Sequence, residues 1–304
     1  MRSARKPDKI IAIDWSGRVD AAGQRRHIVA AIISHDKATR DGVSIESGRT
    51  REEWVTWLIA QAKVTPRLVV GLDCCFSYPA WFLAELGCKT VFDFWEFVAA
   101  GHGERWLAQE NVPRETLFWG KPHKKPAEFC GSGMPRMMRL SDMENKIVAG
   151  MSAARAAKVR GIAPKSPFQI GGAGSTGTGS LRAIPFLLQL HRAGFRIWPF
   201  ESAALDNKKP QPLVIEMYAR LLTGAVKKSS AEARRTYLRA KMRDYKFYAK
   251  LQRGIIAKAV ASEDAFDALI SAMEMARHAK EFAKLKKTGN AVRKLEGITW
   301  VPSL

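Results

Sequence analysis

Three short apolar runs each carry an acidic residue to the point where the chain must turn. Lys9-Ile10-Ile11-Ala12-Ile13 leads into Asp14-Trp15-Ser16-Gly17, Arg67-Leu68-Val69-Val70-Gly71-Leu72 into Asp73, and Pro212-Leu213-Val214-Ile215 into Glu216. Two more acids, Asp264 and Asp267, stand three apart in Ser262-Glu263-Asp264-Ala265-Phe266-Asp267-Ala268-Leu269. In a helix that spacing places them on one face. Ligands of open α/β sheets gather beyond the carboxyl ends of the strands, so acids delivered there are well placed for chemistry. Carboxylates converging from strand ends and a helix start suit hard divalent cations, Mg²⁺ or Mn²⁺, which take oxygen ligands. Two such ions can activate a water and stabilise the leaving oxygen in phosphodiester cleavage. Each acid also has a structural use, because Asp before Ser-Gly closes a turn and acids in a first helical turn favour the dipole. The repetition of the phrase favours a site: catalytic candidates are Asp14, Asp73, Asp264, Asp267 and Glu216, with the first four as metal ligands. The histidines His27, His35, His102, His123, His191 and His278 show no zinc-ligand spacing.

The elements that would position these acids follow from periodicity. Met1 to Asp8 reads as a short basic arm, followed by strands over Lys9–Ile13, His27–Ser34 and Gly42–Ser47. The turn-rich stretches Gly17 to Gln24 and His35 to Asp41 make these an antiparallel meander. A helix over Arg49 to Lys63 is signalled by a Thr50/Glu53 capping box and by a Trp54, Trp57, Leu58, Ala62 stripe. A strand over Leu68–Leu72 comes next. From residue 79 to 165 the pattern becomes that of an aromatic-rich helical insertion, with Trp81, Phe82, Phe94, Trp95 and Trp106 as packing residues. Arg136, Arg139, Lys124 and Lys125 are its candidates for phosphate contact. Gly171 to Ser180 contains Gly172, Gly174 and Gly177 at G-x-G-x-x-G spacing, yet it lacks a strong preceding strand. That run reads as a dinucleotide loop, as a phosphate-contacting loop at a helix N-terminus, or as a connection capped by Ser180. A helix over Leu181–Arg192, strands over Phe195–Phe200 and Leu213–Ile215, and a helix over Glu263–Lys284 complete the pattern. Gly297–Pro302, within a C-terminal extension over 285–304, is expected as a terminal edge strand.

The 304 residues are 46% hydrophobic and carry a formal charge of +21, with a pI near 10.1. The chain can bury a large core, and so basic a surface fits a polyanionic partner, nucleic acid before an anionic membrane. The densest basic stretch holds Lys227, Lys228, Arg234, Arg235, Arg239, Lys241, Arg243, Lys246 and Lys250 against Glu232 and Asp244. It reads as a surface that tracks phosphates, with Tyr237, Tyr245, Phe247 and Tyr248 as packing residues rather than base stackers. Cys74, Cys75, Cys88 and Cys130 form no C-x-x-C pair, which argues against a disulfide framework or structural zinc. No apolar run approaches a membrane span or a secretory signal, so a soluble cytoplasmic protein is expected.

With these residues in view, the chain resembles the RNase H-like superfamily, and within it the layout of RuvC-type Holliday-junction resolvases. The resemblance rests on Asp14 on the first strand, Asp73 after the strand that follows the first helix, and the D-x-x-D-A-L opening of the last helix. More closely, it is similar to an uncharacterised domain-of-unknown-function family classed as predicted nucleases of RNase H-like fold. The matching blocks are Ile13-Asp14-Trp15-Ser16-Gly17, Gly71-Leu72-Asp73, Trp198-Pro199-Phe200-Glu201, Ile215-Glu216-Met217-Tyr218 and Glu296-Gly297-Ile298-Thr299-Trp300-Val301-Pro302. Residues 79–165 add nothing to the likeness, and Ala219 stands where that family has Pro after the Tyr. The resemblance implies one α/β domain over 1–304, a mixed sheet flanked by helices. It also implies a nuclease whose Asp14, Asp73 and Asp267 hold metal with Asp264 assisting, and a homo-oligomer in so far as resolvases cut as dimers. Two other readings stand beside it: a nucleic-acid-binding protein with a silent site, and an actin-like phosphotransferase or ATPase, which the lack of an internal repeat disfavours.

Overall fold

The computed structural model of the chain describes residues 6–34, 42–108, 117–120, 123–148, 164–172, 175–224 and 226–303. Its centre is a six-stranded mixed sheet in the order β3-β2-β1-β4-β6-β5. The strands are β1 Lys9–Asp14, β2 Val29–Ser34, β3 Gly42–Glu46, β4 Leu68–Leu72, β5 Arg196–Trp198 and β6 Leu213–Glu216. β1, β2 and β3 form the antiparallel meander, while β4 and β6 run parallel to β1 and β5 runs parallel to β6. The carboxyl ends of β1, β4 and β6 therefore lie side by side, as required for acids that end those runs to share a site.

Strand alternation sorts the core into two layers. Ile11, Ile13 and Trp15 face one side with Val70 and Leu72, whereas Ile10, Ala12 and Val69 face the other. The first layer is covered by α2 Arg51–Val64 and α7 Gly177–Arg192, and by the insertion helices α3 Ala80–Glu85, α4 Val91–Phe97 and α5 Gly103–Ala108. The insertion adds α6 Leu140–Val148 and a knot of aromatic rings, in which Tyr78, Phe82, Phe118 and Phe168 lie with centroids 5.0–6.0 Å apart. The second layer is built by α8 Ala219–Thr223, α9 Ala231–Asp244, α10 Lys246–Ala249, α11 Arg253–Ala261 and α12 Glu263–Arg277. At its centre α12 is buried almost throughout and packs on β1 and β2. Gly71 of β4 admits that packing, because a Cβ there would come within 2.9 Å of the sulfurs of Met275 and Met217. No described helix is long and apolar enough to cross a membrane.

The Thr50/Glu53 capping box at the start of α2 and the Ser262 cap of α12 form as expected. Four expectations are corrected. The stretch Gly17 to Gln24 is not all turn: Asp20 accepts a hydrogen bond from the Gly23 amide and starts a short helix, α1 Ala21–His27. The last long helix ends at Arg277, before α13 Ala279–Phe282. Gly297–Pro302 is no strand, because it follows α14 Arg293–Glu296 as an irregular segment folded into the core. Thr299 and Trp300 are buried there, and the Trp300 amide donates to the Glu216 carbonyl at 2.8 Å. Finally, Ser180 is the fourth residue of α7 and not its cap, for its hydroxyl accepts from the Cys75 amide and donates to the Thr176 carbonyl. The expected turn His35 to Asp41, the basic arm up to Arg5 and Gly174 of the G-x-G-x-x-G lie outside the described residues.

Candidate active site

The acids at the ends of β1 and β4 meet those at the start of α12. Asp14 closes β1, and the Asp73 amide donates to the Ile13 carbonyl at 3.0 Å, extending the ladder by one step and holding both strand ends together. The Asp73 carboxylate accepts from the Ala219 amide, at the start of α8. Asp14 shares the face of Ile10 and Ala12, and Asp73 that of Val69, so both lie on the side of the sheet that α12 covers. There the first turn of α12 supplies Asp264 and Asp267.

Electrostatics make the clustering explicit. Burial, then Asp267, Asp73 and Asp264 in turn, hold the Asp14 carboxyl well above the usual range. Burial and Asp267 push Asp73 up to about 7. Asp267 is raised by burial and relieved by Lys228 and Arg220. Two of the acids have side-chain partners: the Lys228 ammonium pairs with Asp267 Oδ2, and His27 Nδ1 lies 2.9 Å from Asp264 Oδ2. Asp267 Oδ1, in a residue 5% exposed, has no hydrogen-bond partner among the described residues. Among the described residues no three His, Cys, Asp or Glu side chains form a ready-made metal cage. All-oxygen donors that repel one another, with one buried oxygen left unpaired, are nevertheless the chemistry a hard divalent cation relieves.

These acids border a cavity of about 570 Å³ whose lining includes Asp14, Asp73, Asp264 and His27 on one side and Gly17 and Gly179 on the other. The Ser16–Arg18 turn is clamped by two arginines that sequence reasoning missed. Arg51 Nη1 donates to the carbonyls of Ser16 and Arg18 at 2.9 and 2.8 Å, and Arg182, itself held by Glu104, donates to the Gly17 carbonyl. Gly17 presses on the start of α7, where a Cβ would meet the Gly179 nitrogen at 2.7 Å and the Thr178 carbonyl carbon at 2.8 Å. The missing side chain of Gly17 lets two backbones touch.

Glu216 does not join the acid cluster as a free carboxylate. It is 2% exposed and accepts from both terminal nitrogens of Arg139, from Thr299 Oγ1 at 2.6 Å and from the Phe76 amide at 2.8 Å. Its oxygens are committed to a buried network in which Arg139 also pairs with Asp142. That network ties β6, the insertion and the C-terminal segment together, and it removes Arg139 from the candidates for phosphate contact. Arg136 stacks over Trp81 at 4.4 Å instead. Cys74 and Cys75 also line the cavity, but burial and Glu216 push their thiols up, Cys75 to about 12, which makes them poor nucleophiles.

The basic stretch divides. Arg234 is buried against the Val260 and Lys228 carbonyls, and Lys241 is buried on Glu274 within 5.5 Å of the Tyr237, Tyr245 and Tyr248 rings, so neither is free to meet a phosphate. Lys228 belongs to the acid cluster. Lys227, Arg235, Arg239, Arg243, Lys246 and Lys250 are exposed, and Arg235, Arg239 and Arg243 recur at four-residue spacing along α9, with Arg243 beside Asp244. The tyrosines pack as expected: Tyr237 lies on Phe266, and the Tyr248 hydroxyl donates to Glu274. Compared with known proteins, the chain matches no protein-family model, no curated protein and no solved structure.

Proposed function

We propose that the protein is a Mg²⁺- or Mn²⁺-dependent nuclease of RNase H-like fold that hydrolyses phosphodiester bonds of DNA or RNA. The observation that carries this reading is the clustering of Asp14, Asp73, Asp264 and Asp267, the first three of them lining one cavity, in a strongly basic chain. An antiparallel β3-β2-β1 meander continued by parallel β4 and β6, with acids at the ends of the two central strands, supports the fold assignment. Asp14, Asp73 and Asp267 would hold the metal, with Asp264 assisting. A bound Mg²⁺ or Mn²⁺ supplies an activated water and charge relief at the phosphate. Lys228 neutralises Asp267 in the metal-free protein, His27 orients Asp264, and the exposed cations of α9 draw the polyanion.

The Lys228–Asp267 pair also supports a second reading, a nucleic-acid-binding protein whose acid site is silent. Incubating wild type, Asp14→Asn and Asp267→Asn with linear and branched DNA and RNA in Mg²⁺ or Mn²⁺ separates the two. The nuclease reading expects metal-dependent cleavage by the wild type and none by either variant. Cleavage that survives Asp14→Asn sinks it, and salt-sensitive binding with no cleavage by the wild type favours the silent site.

A further inference from the structure

The residues of the far wall of the same cavity carry hydrogen-bond donors that have no acceptor among the described residues. Trp15 lines it, is 7% exposed, and has no acceptor for its indole Nε1 among the described residues. Strand alternation puts Trp15 on the α7 side, where its ring lies 6.0 Å from that of Phe186, while Asp14 faces α12. The amides of Thr178 and Gly179, in the first turn of α7, also line the cavity and find no acceptor among the described residues. Thr176 caps that helix with no side-chain hydrogen bond, so the cap satisfies neither amide. Arg18 and Lys165, both exposed, complete the rim without an ion-pair partner among the described residues. A buried indole N–H, two helix amides and two cations thus belong to residues that line one cavity whose other wall is acidic. A buried donor without an acceptor is costly, and an anion with several oxygens satisfies all of these at once.

We propose that this wall is a phosphate subsite, which holds a backbone phosphate next to the one presented to the acids and so sets the register of the nucleic-acid strand. The Gly17–Gly179 contact then fixes the distance between the two phosphate positions, because it locks the β1 turn to the start of α7. The proposal rests on the nuclease reading for the identity of the polyanion, and its test does not depend on turnover. Fluorescence anisotropy with labelled DNA and RNA duplexes of one sequence, in EDTA across a salt series, would compare wild type with three variants: Arg18→Ala/Lys165→Ala, Trp15→Phe, and Arg235→Ala/Arg239→Ala on α9.

The Arg18→Ala/Lys165→Ala protein is expected to bind about tenfold more weakly, with a salt slope reduced by about one for each cation removed. Trp15→Phe deletes the donor together with the pyrrole half of the indole, so, with its Tm measured alongside to show that it folds, it should weaken binding severalfold with the slope unchanged. Both signatures support the subsite even if the wild type, given Mg²⁺ or Mn²⁺, cleaves neither nucleic acid and the nuclease reading falls. If both proteins bind as wild type while Arg235→Ala/Arg239→Ala weakens binding, the subsite is refuted and the nuclease reading stands. A wild type that binds neither duplex refutes both.

Discussion

Replacing Asp73 by Asn should stabilise the metal-free protein. The Asp73 carboxyl is pushed from 3.8 to about 7 by burial and by Asp267. Folding therefore costs free energy whenever this group is ionised. The full interval corresponds to roughly 4 kcal/mol. Because Asp73 is partly exposed and shares the strain with its neighbours, about half of that, ~2 kcal/mol, is the expected gain at pH 8. For a chain of this length it appears as a rise of about 3 °C in Tm. Asn keeps an oxygen for the Ala219 amide, so no hydrogen bond is lost in exchange. The sign with pH follows from proton counting. Between about pH 4 and pH 7 the folded state binds more protons at Asp73 than the unfolded chain does, so wild-type stability falls as pH rises through this window. At pH 5 the wild type has recovered more than half of the cost, and the advantage of Asp73→Asn should shrink accordingly. Differential scanning calorimetry of both proteins in EDTA at pH 5 and pH 8 measures the difference. An Asp73→Asn protein less stable than wild type at pH 8, or equally advantaged at both pH values, would refute the view that the acids repel one another in the folded state.

Three further perturbations probe other parts of the site. Glu216→Gln leaves Arg139 short of a buried counter-charge and should destabilise the protein by about 3 kcal/mol, read as a lower urea midpoint with unchanged m value; a loss below about 1 kcal/mol would show that the network is not structural. Gly17→Ala forces a Cβ onto the Gly179 backbone and should cost about 2 kcal/mol together with nucleic-acid affinity, and wild-type values for both would contradict the tight contact. Lys228→Met leaves Asp267 without its ammonium, so the thermal shift produced by Mg²⁺ should exceed that of the wild type. An equal shift would mean that lysine and metal do not compete for Asp267.

The parts of this architecture visible in the sequence are those set by local pattern. β1, β4 and β6 are β-branched runs buried on both faces, and α2 and α12 announce themselves by Thr50/Glu53 and Ser262, so the placement of Asp14, Asp73, Asp264 and Asp267 followed from elements a few residues long. What escaped depends on contacts across long separations. Glu216 reads like the other acids because its run is the same, yet its fate is decided by Arg139, 77 residues away, and by Thr299, 83 residues away. Arg234 and Lys241 share the spacing of their exposed neighbours, and only the packing of α9 against α11 and α12 separates those that turn inward. The glycine-rich run had three readings because composition cannot say what a glycine makes room for. Here Gly177 makes room for the Pro167 and Gln169 carbonyls, whereas the close approach of the β1 turn to the start of α7 depends on Gly17, placed after an acid at a strand end. α1 escaped because its segment is polar and lacks an apolar stripe; only Asp20 marks its start.

The central claim is that four carboxylates from β1, β4 and α12 form one divalent-metal site, and isothermal titration of Mg²⁺ and of Mn²⁺ tests it most directly. The account predicts saturable binding to the wild type and its loss in both Asp14→Asn and Asp267→Asn, each still folded by circular dichroism. Binding that persists in both variants, or a wild type that takes up neither ion even with a nucleic-acid duplex present, would contradict it.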